Sequence, residues 1–516
     1  MRLKSDLLYL VLSCLALLAL TVPIAFYTYP AYDEGWLMSK AYNFLHHGKM
    51  AFSGMGHYLN FDSHTFTEMP LRSVITSLFF FLFGTGILQA RLVSIIMSGM
   101  VLLLTYSISK EAFGRRTAFV TVFLLFFLRI GILNDTSGIA LLDMATSARY
   151  DIDQAFWALL SILFFMKGNK NGKTSAFVLS GCFAGLAVLS HLYAFVLPFT
   201  YLVFLVLSKK PKAGPLASVF GTFLFTLSPW LVWVLAHFDD YKNQMTWYFD
   251  RGNYLSADFY LQNIKNEINR YTTPLAEGGS SMKYLLLPGL LISVFYLLRE
   301  YARNKSAEYS KLFAILLIST LVLFLFFENI KLPLYFSLAF PFLTLSIAAM
   351  LVKLYELPGI PVGKIGVIGL LLFVLWDGIH GIGLKYEKTF EKENAAYTAY
   401  FLHSHIPKNT RVLTFAHFWS SLKENAPADF VRVGFEFRRN KSAGISDTTN
   451  LQNIMHEINP DYLVIFGGFD NWMRFFSRPY YDSFSKAWEQ QLKTNFQPLA
   501  NRYSNIYGDV IIYKRR

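Results

Sequence analysis

The chain reads as a polytopic α-helical membrane protein that closes with a small α/β domain, and three features carry that reading. Its 516 residues are 54% hydrophobic and 17% aromatic but only 16% charged, more apolar surface than a soluble fold can bury. Apolar stretches long enough for a bilayer recur down to about residue 382, with basic residues gathered in alternate connections. From residue 385 onward the pattern changes to short strands and amphipathic helices.

Residues 7–27 form the first apolar span. It is too long for a removable leader and lacks a small-residue cleavage site, so it is expected to stay in the mature chain. Further spans are expected at 92–108, 117–133, 152–166, 174–190, 192–207, 216–236, 284–298, 312–327, 332–352 and 365–382. That gives about eleven spans, with 74–88 as a candidate for one more.

Arg2 and Lys4, then Lys110, Arg115 and Arg116, then Lys167, Lys170 and Lys173, then Lys209, Lys210 and Lys212 occupy alternate connections. Arg299, Arg303, Lys305 and Lys311, then Lys353 and Lys364, continue the series. Positive residues concentrate on the cytoplasmic side, so these connections are assigned there. The net charge of +13 then reflects orientation, and a nucleic-acid partner is not called for. The two cysteines, Cys14 and Cys182, both fall inside spans and provide neither a disulfide framework nor a thiolate metal site.

Orientation places the first external loop, 28–73, outside. It carries the adjacent carboxylates Asp33 and Glu34, close to hydrocarbon. An ionised group in that position needs water or a partner. Two readings stand: an acidic helix cap, or a site for chemistry at the membrane surface. His46, His47, His57 and His64 share the loop but lack the fixed helical spacing of a zinc motif. No metal site is assigned, although a divalent metal stays open.

A second external loop, 237–282, mixes Asp239, Asp240, Trp247, Tyr248, Arg251 and Arg270, as a segment along the headgroups would. In a shorter connection, Asp143, Arg149, Asp151 and Asp153 cluster at the mouth of the fourth span. Asp151 and Asp153 point to different faces of a helix, so one acid is free to face a site while the other faces water; either also suits the helix dipole. The last region, 385–516, reads as a turn and strand in HIPKNTRVLTF, helix, turn and buried strand in TTNLQNIMHEINPDYLVIFGG, and a closing hairpin in YSNIYGDVIIYK. It serves either as a structural cap or in acceptor binding.

In order and spacing, five segments resemble one known family: the acidic pair, RLVSIIMSGMVLLLTYSISKEAFGRRTAFV from Arg91, SARYDIDQAFWALL from Ser147, GLAVLSHLYAFVLPF from Gly185 and IKLPLYFSLAFP from Ile330. They are similar to the C-type glycosyltransferases of the protein O-mannosyltransferase and lipid A aminoarabinose transferase group, over about residues 1–385. The resemblance implies a transmembrane transferase domain over 1–384 and a soluble extracytoplasmic domain over 385–516. It implies a polyprenyl- or dolichyl-phosphate sugar as donor, used at the extracytoplasmic face. It also implies that Asp33 is the general base and that Glu34 positions the acceptor or supports the loop.

The family's second acid maps onto Asp151, with Asp153 as a competing match, and its late basic and tyrosine positions map onto Lys331 and Tyr335. General chemistry agrees. Hydroxyl attack on an anomeric carbon needs a carboxylate to take the proton and a cation to stabilise the departing phosphate. Arg270, Lys331, Arg251 and Arg72 are candidates for the cation. The chain lacks the long insertion of eukaryotic protein mannosyltransferases, which favours a glycolipid or envelope glycan over a protein acceptor. Membrane lipids are the remaining partners. The competing class, a transporter of lipid-linked sugars, would more often carry repeats and charges or Gly/Pro breaks at the membrane midplane; here the acids gather at span ends.

Overall fold

A computed structural model describes residues 2–28, 30–130, 137–208, 213–249, 256–272, 282–304, 307–327, 337–357, 361–392, 394–425 and 427–516. The membrane body starts with α1 (Arg2–Tyr27), followed in the segment 28–86 by α2 (Tyr32–His47) and α3 (Leu71–Phe83). Then come α4 (Ile87–Phe113), α5 (Arg115–Phe127), the short α6 (Ala140–Ala145), α7 (Asp151–Asn171), α8 (Thr174–Ser190), α9 (Val196–Val206) and α10 (Ala213–Ala236). The segment after α10 carries α11 (Phe238–Phe249) and α12 (Ala257–Thr272), and the body closes with α13 (Met282–Arg303), α14 (Glu308–Phe326), α15 (Phe340–Glu356) and α16 (Pro361–Phe390).

Among the described residues, the helices starting at Ser5, Ile87, Ala213, Glu308 and Pro361 are long and apolar enough to cross a membrane by length and composition alone. Their outer faces suit lipid: Leu7, Leu8, Phe225 and Leu235 are 65%, 59%, 78% and 71% exposed, which water would disfavour. Expected spans differ in detail. The stretch 117–133 stops being helical at Phe127, where Arg129 turns to bridge with Ile139, and 74–88 is only the short α3.

The basic connections meet at one end of the bundle. Asp6 near the start of α1 pairs with Lys110 and Arg115, Glu111 pairs with Lys170, and Arg116 pairs with Glu356. The far end of α1 reaches the acidic loop, because Arg91 donates to the carbonyls of Ala25 and Thr28 at 2.8 and 2.7 Å. The lysine- and arginine-rich connections and the Asp33–Glu34 loop thus occupy opposite ends of the body.

The C-terminal domain comprises α17 (Ala395–His405), β1 (Val412–Thr414), α18 (Trp419–Leu422), β2 (Ala428–Asp429), α19 (Phe430–Ser442), α20 (Asp447–Ile458), β3 (Tyr462–Ile465), α21 (Phe469–Phe476), α22 (Tyr481–Asn495), β4 (Phe496–Ser504) and β5 (Gly508–Arg515). Its five-stranded sheet has the order β2-β1-β3-β5-β4, parallel through β2, β1 and β3 and antiparallel from β3 to β5 and β4. The strand, helix–turn–strand and hairpin read from sequence are β1, α20–β3 and β4–β5.

The membrane helix that includes Lys385 runs on to Phe390, beyond the boundary drawn from composition. The segment 28–86 also crosses that boundary in space. Phe52, Met55 and Phe61 are buried in the same apolar cluster as Leu413, Val464 and Ile512 of the sheet.

Candidate active site

Helix α2 presents its first turn to three environments at once. Glu34 faces the membrane body and is fully buried. Arg91 grips it with two parallel hydrogen bonds, Nε to Oε1 at 2.9 Å and Nη2 to Oε2 at 2.7 Å. Its oxygens also accept from the backbone N–H of Ala31 at 2.8 Å and of Ala148 at 2.6 Å. Glu34 thereby caps α2 from its third position and ties α1, α4 and the loop before α7 together. Burial raises its carboxyl, yet the Arg91 charge and these hydrogen bonds outweigh that and hold it below the usual carboxylate range. The cap reading therefore fits Glu34, whose oxygens are occupied by protein donors.

Asp33 differs. Its side chain is 48% exposed, and its Oδ2 accepts from Nη1 of Arg149. Arg149 is shared, since its Nε donates to Oδ2 of Asp151 at 2.9 Å. Asp151 is 1% exposed and Asp153 fully buried, so the expectation that one of the two faces water is not met. The reason is a second guanidinium: Arg72 donates to Oδ1 of Asp153 at 2.8 Å, with Nη2 also on the Ala90 carbonyl and the Ser94 hydroxyl. Arg72 is itself 1% exposed and thus engaged within the protein, which removes it from the candidates for phosphate binding.

The C-terminal domain completes the surround. Tyr32 donates its hydroxyl to Oδ2 of Asp429 at 3.2 Å and packs against Trp472 with ring centroids 4.9 Å apart and planes tilted by 35°. Gly35 passes so close to the domain that a Cβ there would lie 1.9 Å from the Ala416 carbonyl oxygen. His417 sits beside Tyr32 at 5.4 Å between ring centroids. Burial pushes the His417 imidazole down to about 4 despite the nearby Asp33 charge, and pushes the Asp429 carboxyl up to about 7.

The helix carrying Arg270 is described to Thr272 but its side chain is not, and Arg251, Lys331 and Tyr335 lie outside the described residues. A divalent cation does not fit the acids that are described. Glu34, Asp151 and Asp153 each already face a guanidinium, and among the described residues no group of three or more His, Cys, Asp and Glu side chains is placed as a metal cage. Sequence reading missed Arg91, the double pairing of Arg149, and the contribution of His417 and Asp429 from a distant segment. The available signal was an arginine at the head of an apolar span, because a buried guanidinium demands a buried acid.

Residues 67–233 match the model of the family described as dolichyl-phosphate-mannose-protein mannosyltransferase. No curated protein matches the sequence. Among solved structures, the chain is similar to the Archaeoglobus fulgidus oligosaccharyltransferase, at 15% identity and a TM-score of 0.60, covering 97% of this chain and 72% of that one. It is likewise similar to ArnT from Cupriavidus metallidurans bound to undecaprenyl phosphate, at 15% identity and a TM-score of 0.57, covering 99% of this chain and 98% of that one. The chain thus shares its fold with these two solved proteins, and one segment is similar to the mannosyltransferase family. The segment similar to the mannosyltransferase family holds Arg72, Arg91, Asp151 and Asp153, while Asp33 and Glu34 precede it.

Proposed function

We propose that the protein moves a sugar from a polyprenyl-phosphate donor to an acceptor hydroxyl at the extracytoplasmic face, with Asp33 as general base. One observation carries this: of the acids on α2 and at the entry to α7, Glu34, Asp151 and Asp153 are buried against arginines, whereas Asp33 is half exposed. Arg149 holds Oδ2 of Asp33, and Oδ1 has no protein partner among the described residues. That oxygen is available to take the proton of an incoming hydroxyl.

In the step proposed, the acceptor oxygen forms a bond to the anomeric carbon as the bond from that carbon to the lipid phosphate breaks. The bonding pair leaves with the phosphate, and the hydroxyl proton passes to Asp33, which returns it to water. Cations near the phosphate offset the charge it gains; Arg270 and Lys331 are proposed for this, with Tyr335 on the same late loop. Glu34 and Asp153 act by position, Glu34 fixing the helix that presents Asp33 and Asp153 anchoring Arg72. Asp151 orients Arg149 and through it Asp33.

Apolar grooves between spans would hold the isoprenoid tail. The structure of ArnT with undecaprenyl phosphate and that of the archaeal oligosaccharyltransferase with a dolichol-phosphate support a donor of this kind. The acceptor is proposed to be a glycolipid or envelope glycan. The test is to give purified protein a small panel of polyprenyl-phosphate sugars and measure released lipid phosphate. Release with one donor, dependent on an added acceptor, is the expected result; no release with any donor would return the transporter reading.

A further inference from the structure

Away from Asp33, between the far end of α2 and the C-terminal domain, lies a cavity of about 780 Å³. Tyr42, on its wall, is about 14 Å along the helix axis from Asp33 at roughly 1.5 Å per residue. The volume falls in the range of pockets that enclose a ligand of several rings. Both domains build it: Tyr42, Asn43 and Asp62 come from the segment 28–86, and Asn409, Trp419 and Lys423 from the C-terminal domain.

The wall chemistry selects the occupant. Tyr42 and Trp419 meet edge to face with ring centroids 5.7 Å apart; Trp419 is 3% exposed and Tyr42 lies 4.3 Å from His46 on one side, so the part-exposed Tyr42 ring is the aromatic surface left for the C–H face of a sugar ring. Asn43 donates its side-chain N–H to the Ala51 carbonyl at 2.9 Å, which fixes the amide and leaves its oxygen as an acceptor. The wall carries both signs of charge, Lys49 and Lys423 against Asp62 and Glu424 with His47 beside them; Lys423 donates to the Thr85 carbonyl at 3.0 Å and Glu424 pairs with Lys408 at 2.8 Å. Asp62 pairs with His57 at 2.6 Å.

A bare phosphate or polyanion would require converging cations, and an acyl tail would require an apolar lining. A peptide in extended form would seek a sheet edge, whereas the wall residues lie on helices and loops. One part-exposed aromatic ring bordered by both donors and acceptors and by balanced charges suits a sugar, whose hydroxyls do both.

We propose that this cavity is an oligosaccharide-binding subsite that holds the glycan part of the acceptor. Its role in acceptor delivery rests on the transferase reading, but binding itself does not. The geometry then explains why the C-terminal domain docks on the acidic loop: one helix, α2, carries the reacting end at Asp33 and the glycan-holding end at Tyr42.

The full-length protein in detergent is applied to an array of neutral and charged oligosaccharides, with extended peptides as a second array, and hits are titrated. Wild type and Asp33→Asn are expected to bind the same oligosaccharides. Ser53→Trp and His47→Trp, each filling the cavity from a different wall, are expected to weaken binding about tenfold or more. Binding of no oligosaccharide, binding of peptides alone, or oligosaccharide binding unchanged in both filled variants would overturn the subsite. Released lipid phosphate is measured in parallel, so that donor turnover without glycan binding sinks only the subsite, and glycan binding without donor turnover sinks only the transferase reading.

Discussion

Helix α2 is held on one side by the membrane body and on the other by the C-terminal domain, and the two contacts are made of different chemistry. On the membrane side, Glu34 and Arg91 of α4 form a buried bidentate ion pair. On the domain side, the contact is aromatic and close-packed: Tyr32 against Trp472, Gly35 against Ala416, and one hydrogen bond to a carboxyl whose ordinary charge is disfavoured by burial. The first contact is a fixed ionic clamp and the second a titratable seam. Asp33 lies between them, half exposed, so the catalytic carboxylate proposed here is positioned by a rigid side and bordered by a softer one.

Glu34→Ala tests the rigid side and should have the largest effect. Leaving Arg91 buried without its partner costs about 3–5 kcal/mol, to be read as a large loss of thermal stability in detergent. A loss no greater than that of a surface variant such as Glu489→Ala would break the comparison.

Gly35→Ala tests the seam. With a Cβ 1.9 Å from the Ala416 oxygen, backbone must shift, at about 1–3 kcal/mol. Faster hydrogen exchange is expected at residues 32–36 and 415–419, with the core of the sheet at β3 and β5 unchanged.

The two sides should also respond to pH with opposite sign. Burial raises Asp429 to about 7 in the folded protein, above its unfolded value, so its favourable contribution is full in acid and is lost as pH rises towards about 7. Glu34 is depressed, so its contribution is present above the unfolded carboxylate range and is lost as pH falls through it. Exchange protection at the seam should therefore decline between about pH 4 and pH 7 in the wild type and stay level in Asp429→Asn. Equal slopes in both proteins would remove Asp429 as the titrating group. Tyr32→Phe should be the mildest change, about 0.5–1.5 kcal/mol, because it removes one hydrogen bond and keeps the ring packing.

Much of this architecture is legible in local pattern. Apolar runs announce the membrane body, alternation and turn residues announce β1, β3 and the β4–β5 hairpin, and two carboxylates beyond a span announce something that must be solvated or paired. Partnerships are not legible in that way. Glu34 meets Arg91, Asp153 meets Arg72 and Asp33 meets Arg149 across long sequence separations, and periodicity carries no information about which helices pack.

Arg72, Arg91, Arg129 and Arg149 lie at the acidic end, away from the basic connections, and each meets an acid there, Arg129 through Asp377 at 3.0 Å. Composition likewise drew a domain boundary along the chain. Phe52, Met55 and Phe61 cross it by completing the core of the C-terminal domain, since an apolar side chain follows the nearest dry surface regardless of sequence position.

The division of labour between the neighbouring acids is tested most directly by released lipid phosphate under single-turnover conditions, comparing wild type with Asp33→Asn. The substitution preserves shape and removes the proton acceptor, so the rate should fall by about 10²–10⁴-fold while unfolding stays near the wild-type temperature. A rate within about threefold of wild type would contradict the assignment of Asp33 as general base.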